Sequence, residues 1–330
     1  MSRTWLLNCS YICLFVLIGC SSLNLRMGRR VDLTKTPVAS IEASLPKGPA
    51  IAPGQKLQLV VKATLTDGKV LLTEGQGKGK VQWKDLKVTA RVLAVNNNGV
   101  ILLPSDPRVG DGQIGHVTVT IPSQPDVKSA ELDVPFRYNI AFVSDFSGRR
   151  GLDGNNGLDG MDGIAGSLGS SDPNNPSPGG NGGDGTNGDD GKDGDRGGNA
   201  PDVDVLMTLQ PASQPSLLQV SVSALGQRRL YLVDPNGGSI TVKADGGAGG
   251  SGGRGGRGGR GGSGGLGTPN GRDGLSGLDG RNGFDAPPGR GGLITVTYDP
   301  EIGIALNAIH VSSKNGPPAV FKERSVDPLW

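Results

Sequence analysis

Residues 148–166 read GRRGLDGNNGLDGMDGIAG and place glycine at every third position. Three later stretches share this period, and we number the four glycine segments in chain order: Gly148–Gly166, Gly179–Gly197, Gly246–Gly265 and Gly271–Gly289. The third segment is denser, with glycine at two of every three positions. The chain holds 58 glycines and only 4% aromatic residues, so these segments have too few side chains to build an ordinary hydrophobic core. Their cohesion must come from the backbone.

A collagen triple helix also requires glycine at every third residue, but its extended conformation depends on abundant proline at the other positions. Pro287 and Pro288 are the only adjacent prolines in a segment, and the repeats of the second and third segments contain none. The pattern therefore favours left-handed extended helices that pack against one another within a single chain and exchange backbone hydrogen bonds. A collagen-like trimeric stalk is the alternative.

The two positions between the glycines differ in chemistry. In the first and fourth segments the second position is mainly apolar and the third mainly acidic, which predicts one apolar and one acidic edge. The third segment bears a basic edge of three arginines, and the second segment bears Asp and Asn at matching intervals. We expect these two edges to be complementary in charge. The basic edge is Arg254, Arg257 and Arg260; the facing residues are Asn181, Asp184, Asn187, Asp190 and Asp193.

Short links join the segments into two hairpins. Their distal turns are Ser167–Pro178 and Leu266–Asn270, and a strand-like run adjoins each segment at its other end. This layout resembles the polyglycine II bundles of the springtail antifreeze protein, the glycine-rich domain of Obg-type GTPases and the tips of some phage tail-fibre adhesins. The resemblance covers about half the chain and implies a fold rather than an activity.

Residues 37–143 show short alternating or β-branched runs separated by turn signals. Asp67-Gly68 predicts a tight hairpin, and Asn96–Gly99 a longer turn. Trp83 is expected in the core. The architecture is similar to bacterial Ig-like surface domains. The predicted fold class is all-β, with an N-terminal Ig-like β-sandwich, a C-terminal β body (residues 144–330) carrying a bundle of polyglycine/polyproline II helices, and essentially no α-helix in the mature protein.

The first nineteen residues have the layout of a secretion signal: Arg3, an apolar stretch, then small residues. Leu17-Ile18-Gly19-Cys20 matches the lipobox of bacterial lipoproteins, a resemblance that implies lipid attachment at Cys20 and cleavage before it. Ser21, in place of Asp, implies sorting to the outer membrane, facing the periplasm or the surface. Residues 20–36 are expected to form a tether. In family terms the chain resembles a collagen-like lipoprotein.

The sequence favours no catalytic, metal or cofactor site. Cys9, Cys13 and Cys20 all lie in or at the end of the signal, so no thiolate site is expected in the mature chain. His116 and His310 lie in alternating apolar runs typical of strands. The aspartates match no known calcium-loop spacing, and there is no P-loop or nucleophile elbow. The net charge of +2 argues against nucleic acid as a partner.

We therefore expect a non-enzymatic, lipid-anchored envelope protein with a structural or adhesive role, whose partner is a membrane through the lipid and an envelope protein or acidic glycan. An ice-binding protein that orders surface water is the alternative. The distal turn is the candidate ligand-binding tip because varied polar side chains interrupt the period there; the basic edge is the next candidate. The tip residues are Ser170, Ser171, Asp172, Asn174 and Asn175.

Overall fold

The computed structural model describes residues 30–211 and 216–330. Cys20, the secretion signal and most of the predicted tether lie outside the described residues. The described chain is built of β-strands and extended segments, with short 3₁₀ helices and no α-helix. The prediction of an all-β protein is confirmed at this level. Within the described ranges, no helix has the length and apolar character needed to cross a membrane.

The chain divides into two compact units. The first comprises the residues up to Ile140, together with Leu230–Gly237 and Trp330, and the second comprises Ala141–Arg229 and Gly238–Leu329. Ala141–Asp145 forms a strand whose neighbour, Ser239–Lys243, belongs to the second unit, and the predicted domain boundary after Val143 falls inside this strand.

The first unit contains nine strands in three antiparallel sheets, with the orders β1-β3-β4, β2-β7-β6 and β5-β8-β9. Three 3₁₀ helices, Gly75–Gly77, Trp83–Asp85 and Pro107–Val109, lie between the strands. The strands are β1 (Val38–Ser44), β2 (Lys56–Gln58), β3 (Val60–Leu65), β4 (Val70–Leu72), β5 (Lys87–Arg91), β6 (Ala94–Val95), β7 (Val100–Leu102), β8 (Gly115–Thr120) and β9 (Ala130–Val134).

Alternation of side chains along these strands builds one core. In β8, Val117 and Val119 are fully buried, whereas the alternate residues His116, Thr118 and Thr120 are partly exposed. Trp83 is only 5% exposed and belongs to this core, as predicted. The predicted hairpin at Asp67-Gly68 is also confirmed, since it joins the antiparallel strands β3 and β4 and Gly68 has φ of 84°.

The remaining eight strands form two sheets. All of them lie in the second unit except the end of β13, since Leu230–Val233 belongs to the first unit. One sheet has the order β10-β14-β16 and is parallel throughout; the other has the order β13-β12-β11-β15-β17, in which β11, β15 and β17 are parallel. The 3₁₀ segment Pro300–Ala308 precedes β16. The strands are β10 (Ala141–Asp145), β11 (Val203–Leu209), β12 (Leu218–Ala224), β13 (Gln227–Val233), β14 (Ser239–Lys243), β15 (Ile294–Tyr298), β16 (Ile309–Ser312) and β17 (Val320–Glu323).

Each glycine hairpin connects the smaller of these sheets to the larger. The first and second segments lie between β10 and β11, and the third and fourth lie between β14 and β15. In the parallel pair β10–β14, Ala141 lies opposite Ser239. In the pair β11–β15, Val203 lies opposite Ile294. The two hairpins therefore leave the strands side by side and in a defined register.

Candidate functional site

Backbone hydrogen bonds join the first and third segments along their whole length. Gly157 N donates to Arg254 O at 2.7 Å, and the same bond recurs every three residues from Gly148 to Gly169. Because each bond uses the glycine N–H of the first segment, every triplet of that segment is hydrogen-bonded to the third. Phe146 N donates to Lys243 O at the end of the pair β10–β14 with the same separation along the chain as Gly157 N and Arg254 O, so the strand register continues into the glycine segments.

The second segment bonds to the three others. Asp189 N donates to Leu158 O of the first segment at 2.8 Å, and Gly188 N donates to Leu278 O of the fourth at 3.0 Å. Asp189 O accepts from Gly256 N of the third segment at 2.9 Å. The third segment likewise bonds to all the others, since Gly256 O accepts from Gly280 N at 2.8 Å. The second and third segments thus form the centre of a four-membered bundle, with the first and fourth at its outer corners.

Glycine is required where these segments meet. A Cβ atom on Gly256 would overlap the backbone carbonyl of Leu158, and one on Gly182 would lie 2.6 Å from the carbonyl carbon of Gly262. Such positions exclude every L-residue with a side chain, because the obstacle is a hydrogen-bonded backbone. The third segment needs glycine at two of every three positions, because one glycine lies against the backbone of the first segment and the next lies against that of the fourth.

The Asp and Asn side chains at the third position of each triplet complete the backbone bonding. Asp159 Oδ1 accepts from Arg257 N at 2.8 Å, and Asp279 Oδ1 accepts from Gly258 N at 2.8 Å. These N–H groups have no carbonyl acceptor among the backbone bonds of the bundle, and a main-chain donor needs an acceptor. A short carboxylate or amide reaches it from the neighbouring segment. The acidic edges are therefore structural, and Asn performs the same role as Asp.

This bonding corrects the predicted pairing of the second segment's acidic edge with the arginines. Asp184 Oδ1 accepts from Leu275 N at 2.7 Å and Asp190 Oδ1 from Arg281 N at 2.6 Å, both in the fourth segment. The sequence period alone does not specify which neighbour a side chain meets. Equivalent bonds, each joining residues 91 positions apart, recur along these two segments as far as Leu293 N and Asp202 Oδ1, next to the pair β11–β15.

The basic edge, Arg254, Arg257 and Arg260, is exposed on the third segment. Among the described residues, none of its guanidinium groups forms an ion pair within 4.0 Å. Asp159 and Asp279, which bond to the backbone on either side of this edge, place carboxylates along both its flanks. The surface carries both signs of charge and is not a uniformly basic patch.

Large apolar side chains project from the outer corners of the bundle. They occupy the second positions of the first and fourth segments, and each is 72–84% exposed. The prediction of apolar edges is correct, but these edges do not form a core. They are Leu152, Leu158, Met161 and Ile164 in the first segment and Leu275, Leu278 and Phe284 in the fourth.

The candidate tip is an ordered loop. Ser170 and Ser177 bridge its two ends, with Ser170 N donating to Ser177 O at 3.1 Å. Asp172 Oδ1 accepts from Asn174 N at 2.9 Å and forms a local turn. Thr268 N of the other distal link donates to Ser177 O at 2.9 Å, so the two links meet. Ser170 is partly buried, whereas the other candidate tip residues, Ser171, Asp172, Asn174 and Asn175, are exposed.

His116 in β8 lies between two carboxylates of β9, an arrangement that the sequence did not indicate. Its Nδ1 is 2.7 Å from Asp133 Oδ1 and its Nε2 is 2.8 Å from Glu131 Oε2. Hydrogen bonds from Asp133 and then Glu131 raise the pKa of His116 above its ordinary value. His116 lies opposite Asp133 in the β8–β9 ladder, which explains the contact. The cluster links two neighbouring strands on a partly exposed face, and Glu131 also accepts hydrogen bonds from Thr118 Oγ1 and Ser129 Oγ, both at 2.7 Å.

No group of three or more His, Cys, Asp or Glu side chains in residues 30–211 and 216–330 is arranged to hold a metal ion. The chain has no match among family models, curated proteins or solved structures.

Proposed function

We propose that this chain is a non-enzymatic, lipid-anchored envelope protein whose glycine segments form a rigid polyglycine II bundle with a structural or adhesive role. The supporting observation is the unbroken ladder of backbone hydrogen bonds that ties four segments together at three-residue intervals. Such a ladder provides stiffness without a side-chain core, which a protein with 58 glycines needs. Stiffness of this kind suits the presentation of a binding loop.

The anchor belongs to the N-terminal end of the proposal. Cys20 would carry lipid at the outer membrane, and the residues behind it would act as a tether. The first unit, with its small antiparallel sheets around one core, is interpreted as an Ig-like sandwich serving as a spacer. A structural role would use the whole length of the bundle, whereas an adhesive role would use its distal loop.

The distal loop is favoured for adhesion because the acidic edges of the bundle are already engaged. The Asp and Asn side chains of the triplets bond to neighbouring backbone, so changing them alters stability as well as binding. Ser171, Asn174 and Asn175 stand outside this pattern and are exposed. Specific recognition commonly resides in such loops on a rigid support. The partner class is an envelope protein or an acidic glycan.

Replacing residues 172–175 by Gly-Ser-Gly-Ser tests the adhesive role. Binding of the purified full-length chain to isolated envelopes is measured beside the thermal melt. We expect at least a tenfold loss of binding with little change in melting, because loop tips tolerate exchange. The matched variant replaces Arg254, Arg257 and Arg260 by Gln and should keep its binding. Unchanged binding by the loop variant would exclude the tip, and loss in the arginine variant alone would move the site to the basic edge.

A further inference from the structure

A second place where the chain could bind a ligand is a cleft in the first unit, with a volume of about 740 Å³. This size falls within the range of small-molecule sites. The lining combines amides, cations and apolar groups in similar proportion, including Gln82, Lys84, Lys87, Val95, Asn97 and Asn98. Asn97 and Asn98 belong to the turn between β6 and β7, and Lys84 and Lys87 flank the end of the 3₁₀ helix Trp83–Asp85.

Gln82 supplies the observation that points to a ligand. The residue lines the cleft but is only 3% exposed, and its Nε2 is buried without a hydrogen-bond partner among the described residues. A buried amide donor without an acceptor destabilises the fold, so native proteins rarely keep one without a purpose. Ser144 Oγ, in the second unit, is the other such atom among the described residues. Of the two, Gln82 lines this cleft, where a ligand oxygen could accept a hydrogen bond from Nε2.

The charge of the cleft favours an anion. Arg30 is neutralised by Glu74, with Nη2 and Oε2 at 3.1 Å. The buried carboxylate of Asp85 accepts from Leu33 N at 3.2 Å. Lys84 and Lys87 are exposed, and neither forms an ion pair within 4.0 Å in the described chain. Asp32 and Asp85 lie close enough to Lys84 to interact with it electrostatically, but neither forms an ion pair with it. Both lysines can therefore still bond to an acidic ligand.

The remaining lining favours a ligand rich in hydroxyl groups. Amide side chains both donate and accept, which suits hydroxyls. Asn96 keeps the turn in place, since its Oδ1 accepts from Val100 N at 2.9 Å. The Trp83 ring is packed under Gly99, where a Cβ atom would collide with it, so this ring supports the cleft rather than providing an open stacking surface. Val88, Val95 and Pro122 offer apolar contacts of the kind that sugar ring C–H groups make.

We propose that this cleft binds an acidic saccharide. The carboxylate of a uronic acid unit bonds to Lys84 and Lys87, and further hydroxyls bond to Asn97 and Asn98. A ring or hydroxyl oxygen accepts from Gln82 Nε2 once this buried side chain turns toward the cleft. The site is independent of the distal loop and of any adhesive role for it. It gives the first unit a binding role in addition to that of a spacer.

Calorimetric titration of the detergent-solubilised full-length chain with tetragalacturonate tests the proposal. We expect saturable binding that weakens with salt, and at least a tenfold loss when the carboxyl groups of the probe are reduced to alcohols. Lys84→Gln combined with Lys87→Gln should lower affinity by roughly tenfold or more. Lys47→Gln combined with Lys128→Gln, which changes two exposed lysines that do not line the cleft, should have no effect.

Gln82→Leu separates a binding role from a structural one. Loss of the donor should weaken binding roughly three- to tenfold, while removal of an unpartnered buried amide should leave the melting temperature unchanged or raise it. A tightly folded variant with full affinity would remove Gln82 from the site. Absence of saturable binding by the wild-type chain, equal binding of the reduced probe, or equal binding of tetraglutamate would overturn the assignment to an acidic saccharide.

Discussion

Adjacent glycines in the second segment provide a sharp test of the bundle. A Cβ atom on Gly182 would overlap the carbonyl oxygen of Gly262 and lie 2.9 Å from Ser263 O. A Cβ atom on Gly183 would meet nothing nearer than Ile164 N, at 3.3 Å. Three residues further along, the position equivalent to Gly183 carries the side chain of Thr186. Gly182→Ala should therefore damage the bundle, whereas Gly183→Ala should be accommodated.

The magnitudes follow from the two contacts. Alanine at Gly183 lowers the entropy of the unfolded chain and stabilises by about 0.4–1 kcal/mol, less any cost of the tight contact with Ile164. Alanine at Gly182 must displace a carbonyl that accepts from Gly274 N at 2.8 Å, and forced backbone shifts cost about 1–3 kcal/mol or more. We expect the two variants to differ by about 2–4 kcal/mol. In a unit of this size that corresponds to roughly 4–15 °C in melting temperature.

Thermal unfolding of the full-length chain followed by circular dichroism measures this difference. Hydrogen exchange assigns it, because the amide of Gly274 should lose protection in Gly182→Ala and keep it in Gly183→Ala. Equal melting temperatures and equal protection would show that the second and third segments do not approach as closely as described. A lower melting temperature in Gly183→Ala than in Gly182→Ala would refute the orientation of the second segment.

Substitutions at three further positions test separate features. Asp159→Ala should destabilise the second unit by about 0.5–1.5 kcal/mol, because Arg257 N loses its acceptor. Asp159→Asn should be nearly neutral, because the amide oxygen still accepts this hydrogen bond. Equal losses of unfolding free energy for the two variants in urea titrations would contradict the structural role. Because its pKa is raised in the folded state, His116 stabilises the fold fully below about pH 6.5, and this contribution is lost as the pH rises through the folded-state pKa. His116→Asn should therefore lower the free energy of unfolding more at pH 5.5 than at pH 8.5 in denaturant titrations. A loss of stability that does not depend on pH would exclude the ionic contact. Cys20→Ala should abolish palmitate labelling and release the chain from membranes, and persistent labelling would reject the lipid anchor.

Much of the strand pattern and the glycine hairpin layout is predictable from local chemistry. Trp83 was assigned to the core because an isolated aromatic in a strand-rich region is costly to expose, and it is buried. The turn at Asp67-Gly68 followed from the need for positive φ. Extended glycine segments followed from the three-residue period, because only glycine allows backbones to approach closely.

The candidate sites are harder to predict from the sequence. The aspartate edges look like a charged surface in sequence, yet Asp184 bonds to the backbone of Leu275, about ninety residues away. The Gln82 cleft has no sequence signal at all, because this glutamine, directly before the 3₁₀ helix Trp83–Asp85, differs from other glutamines only in lacking a hydrogen-bond partner. Both depend on which distant residues come into contact.

The sequence by itself determined where backbones can approach each glycine segment, because the period leaves room for a neighbouring backbone once in every three residues. It also determined the positions of the turns, where glycine and asparagine permit unusual dihedral angles. Tertiary structure decided which segments are neighbours and in what register. The parallel strands β10 and β14 set the offset of 98 residues that continues through Asp153 and Ser251, and β11 and β15 share the offset of 91 residues seen between the second and fourth segments. A repeat of three residues fits its neighbour equally well after any shift by three, so only the strands at its base can select one alignment.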